Sequence, residues 1–244
     1  MSVYSGPADW WTDGTDQGRT YIATRGIVQS NLVLNLDAGV STSYPGSGTT
    51  WTDLSGNGNN GTLTNGPTYS SANGGYIVFD GADDYVSTSV NFGSSSQFTV
   101  SMFVNNTSRG AGDGQILSIG NEKLLFYTTT STGPWAFSVY SPTIFSGIAR
   151  YTSTIMQLNT WYNLVGVYSG TAFEMFINGQ SIYYTNTSIS LYTLTTESVQ
   201  IARRIGTGIT QFPSTFATTQ IYNRALTAAE VQQNFNALRG RFGV

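Results

Sequence analysis

Cysteine and histidine are absent from this chain, lysine occurs once at Lys123, and charged residues make up only 9% of it. Without cysteine there is no disulfide and no thiolate metal site, and the redox compartment stays open because either environment tolerates such a chain. Without histidine there is no Ser-His-Asp triad, no Cys-His pair and no imidazole-ligated zinc. A net charge of −3 leaves no basic stripe to neutralise a phosphate backbone, which argues against nucleic acid as a partner. No apolar run approaches the roughly 18 residues that a bilayer span needs, so no membrane insertion is expected. The opening MSVYSGPADWWTDGTDQGRTY has neither a cationic start nor an apolar core of the secretory kind. The expectation is synthesis in a cytoplasm without a signal peptide.

Hydrophobic residues at 39%, with 14% aromatic, over 244 residues suffice for one large interior. The shortage of charge then means a surface of Ser, Thr, Asn, Gln and Gly, which hydrogen-bonds without charge and suits contact with sugars or neighbouring subunits. Residues 1–28 are polar and aperiodic, with adjacent Trp10 and Trp11, and read as an N-terminal arm preceding a domain over 29–244. From Leu32 the pattern alternates: Leu32, Leu34 and Leu36 share one strand face and Val33, Asn35 and Asp37 the other. The Gly- and Asn-rich stretch 39–75 reads as loops anchored by Trp51, Leu63 and Tyr69. Strand candidates then come at short intervals, from Tyr76–Asp80 and Tyr85–Ser89 through Trp161–Tyr168 and Phe173–Ile177 to Phe216–Tyr222, and Asn178-Gly179 is the favoured dipeptide of a tight hairpin. The fold class is all-β: a two-sheet antiparallel sandwich of the jelly-roll kind.

One helix closes the chain. Thr227 is its N-cap, Glu230 the return half of a capping box, and Leu226 staples onto Val231. Val231, Phe235 and Leu238 fall on one face, while Gln232, Gln233, Asn234 and Asn236 point elsewhere. Arg239 and Gly240 are expected to end it, the glycine with positive φ.

The series GYIVFDGADDYVST, FTVSMFV, NTWYNLVGVYSGTAFEMFINGQ, VQIARR and IYNRALTAAEV, in that order, resembles the laminin G-like branch of the concanavalin A-like lectin/glucanase superfamily across residues 30–244. The ending NFNALRGRF with the opening GIVQSNLVLNLDAG is similar to structural proteins of tailed-bacteriophage virions. The resemblance implies a non-enzymatic structural or adhesion protein of a phage particle: a capsid decoration, tail or fibre component among other virion proteins, present as a homo-oligomer or multicopy array. The alternative is a carbohydrate-binding module that recognises host surface polysaccharide.

Some relatives cleave polysaccharides with two carboxylates on one strand, and side chains at i and i+2 suit that distance. The four glutamates, Glu122, Glu174, Glu197 and Glu230, each lack an acidic residue two positions away, so no enzyme is expected. Asp80, Asp83 and Asp84 form the densest acidic cluster. Three carboxylates with loop carbonyls suit Ca²⁺, yet the preferred reading needs no cofactor: Asp80-Gly81 turns the chain and Asp83 caps backbone amides. Tyr140, Tyr151, Tyr183 and Tyr184 lie in or beside polar, loop-like stretches, where an aromatic ring either stacks on a sugar or packs under a loop. Trp10 and Trp11 either dock on a neighbouring subunit or fold back on the sandwich.

Overall fold

The computed structural model describes residues 26–108, 114–121, 123–128, 134–139, 148–186, 193–205, 211 and 213–244, with the backbone alone at 115, 139 and 148–155. The strands are β1 (Leu32–Asp37), β2 (Thr50–Trp51), β3 (Gly61–Thr64), β4 (Thr68–Ser70), β5 (Tyr76–Phe79), β6 (Tyr85–Ser95), β7 (Phe98–Asn106) and β8 (Gly114–Ile119). They continue as β9 (Leu124–Thr128), β10 (Pro134–Val139), β11 (Ile148–Ile155), β12 (Trp161–Tyr168), β13 (Ala172–Ile177), β14 (Gln180–Asn186), β15 (Leu194–Ile201) and β16 (Ser214–Tyr222), before helix α1 (Ala228–Leu238). One sheet runs β14-β13-β12-β7-β16-β5-β4, with β1 also on β16, and the other runs β11-β10-β9-β8-β15-β6-β3-β2. All the pairings are antiparallel. The expected all-β sandwich with one C-terminal helix is what the chain forms.

Alternation decides which side chains meet. Val100, Met102 and Val104 of β7, Leu164 and Tyr168 of β12, and Phe216 of β16 face Val86, Val90, Phe126, Phe137 and Val199 of the other sheet in the main core. The opposite face of the first sheet is also apolar. Phe103, Val165, Val167 and Tyr222 lie there beneath Val231, Phe235 and Leu238 of α1, with Ile27, Val28 and Phe242. A sheet buried on both faces loses the half-polar pattern, and all six residues of β1 are buried. This corrects the two-faced reading of Leu32–Asp37. The buried Asp37 side chain accepts from Arg241, and at Asn35 the backbone N–H donates to Asp53 Oδ1 at 2.8 Å while the side-chain Oδ1 accepts from Gln220 Nε2 at 3.4 Å.

Asn178 (φ 49°) and Gly179 (φ 75°) form the hairpin between β13 and β14, as the dipeptide requires. Gln180–Asn186, unassigned from sequence, is its second strand. Trp51 and Leu63 are core residues as expected, but within the stretch read as loops they belong to short strands β2 and β3, and Tyr69 to β4.

At α1 both halves of the capping box form: Glu230 N–H donates to Thr227 Oγ1, and Thr227 N–H to Glu230 Oε2. Two expectations fail here. Asn234 is buried, because its side chain accepts from Val28 N–H at 2.8 Å and donates to Tyr222 Oη at 2.9 Å, tying the domain's first residues to its last strand. The α-helix does end at Leu238 with Arg239 as its C-cap, but a 3-10 turn over Arg239–Arg241 follows, and the positive-φ glycine is Gly243 (φ 69°), not Gly240.

Glu230 also pairs with Arg224 at 2.6 Å, and that guanidinium, with help from the cap, holds its carboxyl down at about 2 against an ordinary 4.5. A depressed carboxylate contributes stability that is complete above the unfolded value and fades as pH falls toward the folded one. The urea midpoints of wild type and Glu230→Gln are therefore expected to differ above about pH 4.5 and converge as pH approaches about 2; a gap that persists at acid pH would assign the loss to packing.

Candidate functional site

β5 ends in the core at Phe79 and β6 leaves it at Tyr85, so the chain crosses between the sheets in one short acidic loop. Gly81 takes φ 80°, Asp80 Oδ1 accepts the Ala82 N–H at 2.8 Å, and Asp84 Oδ2 accepts the Asp80 N–H at 3.1 Å. The carboxylates that cap this turn are thus Asp80 and Asp84; the amide-capping role expected of Asp83 belongs to Asp84, which points inward and is buried. Asp83 contributes its carbonyl, which accepts from Asn65 Nδ2 at 2.9 Å, while Asp84 O accepts from Gln211 Nε2 at 3.1 Å. Three connections, β3–β4, β5–β6 and β15–β16, are stitched together at this end of the sandwich.

The carboxylate oxygens of Asp80, Asp83 and Asp84 lie within 4.8 Å of one another. Among the described residues none of them is paired with a cation. Burial pushes the Asp84 carboxyl up, and the neighbouring Asp80 and Asp83 charges add to that against the pull of the Asp80 N–H. Unneutralised, hard oxygen donors at this spacing fit a cation such as Ca²⁺ in chemistry, although the turn closes on its own hydrogen bonds.

Beside this loop, the Arg203 guanidinium lies 4.4 Å above the Tyr85 ring. It is aimed there by its backbone. Ala202 adopts φ 63° at the end of β15, a conformation that costs a residue with a Cβ about 1–2 kcal/mol. Ala202 N–H donates to Ile116 O, and Ser118 Oγ on β8 both donates to Arg203 O at 3.0 Å and accepts from Ile205 N–H at 3.1 Å. A contact of this kind is worth about 0.5–1 kcal/mol at an exposed site, and it fixes the position of the cation, which is half-buried. Guanidinium N–H groups beside carboxylate oxygens can serve the two sides of a hydroxyl group, which accepts from one and donates to the other. Sequence reading missed Tyr85 and Arg203; the available signal was a Tyr directly after the acidic run and an Arg pair directly after a strand.

The structure gathers the acidic candidates Asp80, Asp83 and Asp84, but it does not bring the described tyrosine candidates to them. Tyr183 and Tyr184 are on β14 rather than in a loop, with four strands between it and β5. Tyr183 is half-buried against the main core. Tyr184 is 59% exposed, and its Oη donates to Asn186 Oδ1 at 3.0 Å. Tyr151 is in β11, opposite Ala136 of β10. Trp10, Trp11 and Tyr140 lie outside the described residues.

The described glutamates are each engaged: Glu174 accepts from Ser181 Oγ at 2.6 Å, Glu197 from Lys123 Nζ at 2.6 Å, and Glu230 from Arg224. No helix among the described residues is long and apolar enough to cross a membrane.

The family described as the concanavalin A-like lectin/glucanases superfamily matches residues 80–232, more than half of the chain. Comparison with curated proteins gives no significant match. Among solved structures, domain 4 of AbnA, an extracellular GH43 arabinanase from Geobacillus stearothermophilus in complex with arabinotriose, is similar with a TM-score of 0.66 and 16% identity, over 84% of this chain and 98% of that one. The binding domain of Paraclostridial Mosquitocidal Protein 1 gives 0.64 and 16%, over 86% and 52%, and Trypanosoma rangeli sialidase in complex with sialic acid gives 0.63 and 16%, over 86% and 33%. The chain thus spans about half the length of the mosquitocidal binding domain and a third of the sialidase. At these identities the likeness is one of fold.

Proposed function

Since the chain belongs to the concanavalin A-like lectin/glucanases superfamily, we propose that it is a non-enzymatic adhesion module that contacts glycan through the loop end built on Asp80–Asp84, Tyr85 and Arg203. The observation that carries this reading is the Arg203 guanidinium parked over Tyr85 beside carboxylates that form no ion pair among the described residues. An aromatic ring, donors and acceptors gathered at one end are what a neutral sugar needs, because its CH groups pack on a ring's π face while its hydroxyls take both kinds of hydrogen bond.

The absence of catalysis is part of the proposal. Retaining glycosidases hold two carboxyls about 5–5.5 Å apart on opposite sides of the sugar, and inverting ones hold them farther apart. Here the three acids lie within 4.8 Å in one turn, and the described glutamates are spent on structural bonds. The cluster holds its turn without a resident ion; in the calcium alternative Asp80, Asp83 and Asp84 hold Ca²⁺.

The setting we propose is a phage particle, where the protein is a capsid decoration, tail or fibre component held by residues 1–28 among other virion proteins. Repetition of the module in a homo-oligomer or array multiplies weak contacts to host surface polysaccharide. What supports this setting is the likeness of the opening GIVQSNLVLNLDAG and the ending NFNALRGRF to virion structural proteins; the two pack on each other through Val28, Asn234 and Tyr222.

A glycan array probed with wild type, Arg203→Ala and Tyr85→Ala tests the reading. Binding to neutral polysaccharide is expected to survive chelator and to weaken about tenfold, about 1.4 kcal/mol, in each variant. In the same preparation, a chain lacking 1–25, the part of the arm that precedes the buried Ile27 and Val28, is expected to stay folded and fail to join particles. Silence across the array removes the glycan function, loss of binding with chelator selects the calcium alternative, and sugar release that Asp84→Asn abolishes makes the protein an enzyme.

A further inference from the structure

The large hydrophobic residues exposed among the described ones, Ile182 at 36% and Tyr184 at 59%, fall on the same strand, β14. That strand ends its sheet, so its outer backbone edge pairs with no described strand. Edge strands of soluble proteins usually carry Lys, Pro or an inward charge that discourages a second chain from pairing with them. β14 reads Gln-Ser-Ile-Tyr-Tyr-Thr-Asn, with no charge and no proline. Its one irregularity is a bulge at Ile182, the extra residue between the partners of Met175 and Phe176, which turns Ile182 outward beside Tyr184.

The sequence of the strand is also its own complement. Laid antiparallel on a copy of itself about Tyr183, it sets Ile182 against Tyr184, Ser181 against Thr185 and Gln180 against Asn186. Each pair then matches in character: an aliphatic chain on an aromatic ring twice over, hydroxyl on hydroxyl, amide on amide, and no like charges face each other. Residues directly opposite in an antiparallel pair share a face, and aliphatic–aromatic pairs are among the favourable ones. Tyr184 lies opposite Glu174, on the side away from Phe173 and Met175, which belong to the core. The pairs it makes with Ile182 would therefore sit on the outer face, covering the exposed apolar side chains of both copies. A two-fold axis through Tyr183 uses each patch twice and closes, leaving no free copy of the edge.

We propose that β14 is the contact through which two copies of this chain associate, joining their β14-bearing sheets edge to edge about Tyr183. The inference deepens, and rests on, the proposed multicopy assembly, and it does not depend on the glycan reading. Because the chain has no cysteine, register can be read without background. Opposite residues of an antiparallel pair have Cα atoms about 4.5–5.5 Å apart, within reach of a disulfide. Ile182→Cys chains mixed with Tyr184→Cys chains are expected to give a disulfide-linked dimer under mild oxidation, while either alone gives little. Full-length wild type is expected to sediment as a concentration-dependent dimer, and Tyr184→Lys to weaken association at least tenfold with an unchanged unfolding midpoint. A monomer at all concentrations overturns both this inference and the multicopy reading. A stable oligomer without the mixed cross-link, or one that Tyr184→Lys leaves intact, keeps the multicopy reading and removes β14 from it.

Discussion

Replacing Arg241 by Met is expected to cost about 3–5 kcal/mol of unfolding free energy, the range for removing one partner of a buried ion pair. Arg241 Nη1 donates to both Asp37 oxygens, at 2.7 and 2.8 Å, with the two side chains only 6% and 2% exposed. Its Nη2 donates to Gly75 O at 3.0 Å. The guanidinium reaches Asp37 through a slot past two glycines: a Cβ on Gly39 would lie 2.3 Å from Arg241 Nη2, and one on Gly74 would lie 3.0 Å from Arg241 Nε. Methionine fills part of the slot but leaves Asp37 charged and dry. The cost thus comes from an abandoned charge more than from a lost attraction, and this gives the control. Asp37→Leu with Arg241→Met removes both charges and should recover much of the loss, because apolar replacement of a whole buried pair is often close to neutral. Urea unfolding of the four chains measures the cycle. A single Arg241→Met chain within 1 kcal/mol of wild type would mean that water reaches Asp37.

That pair also marks the limit of what the sequence reveals. Thr227 and Glu230 are three residues apart, and their capping box can be seen in the chain; so can the Asn178-Gly179 turn, whose conformation is dictated by the two residues themselves. Asp37 and Arg241 are 204 residues apart, and no local rule joins them. β14 escaped notice because Ile182, Tyr183 and Tyr184 are adjacent, and the bulge at that point breaks the period of two by which strands are recognised. Asn234 looked like a solvent-facing residue because its two partners, Val28 N–H and the Tyr222 hydroxyl, come from the opposite end of the domain and the last strand. The loop site was legible in part. The acidic turn is contiguous in sequence, whereas the Arg203–Tyr85 contact exists only because β15 and β6 are neighbours.

The spacing of the two sheets is expected to be equally sensitive at Phe137. This ring is fully buried, with centroids 4.0 Å from Phe126, 4.5 Å from Phe173 and 6.1 Å from Phe98. Phe126 and Phe137 come from one sheet, Phe98 and Phe173 from the other, so the stack spans the interior. Phe137→Ala should cost about 3–5 kcal/mol, the transfer free energy of the ring plus the cavity it leaves. Gly166 on β12 faces the same rings: a Cβ there would lie 2.4 Å from Phe137 Cε1 and 2.7 Å from Phe126 Cζ. Its φ is not of the left-handed kind, so the glycine serves space and not conformation. Gly166→Ala is then an overpacking change, worth about 1–3 kcal/mol of destabilisation. The two substitutions should couple, since Phe137→Leu gives up the volume that the new methyl needs. A Gly166→Ala, Phe137→Leu chain is expected to be more stable than the sum of its single changes by about 1 kcal/mol or more, read from urea midpoints at constant slope. Strict additivity would show that the ring stack does not set the distance between the sheets.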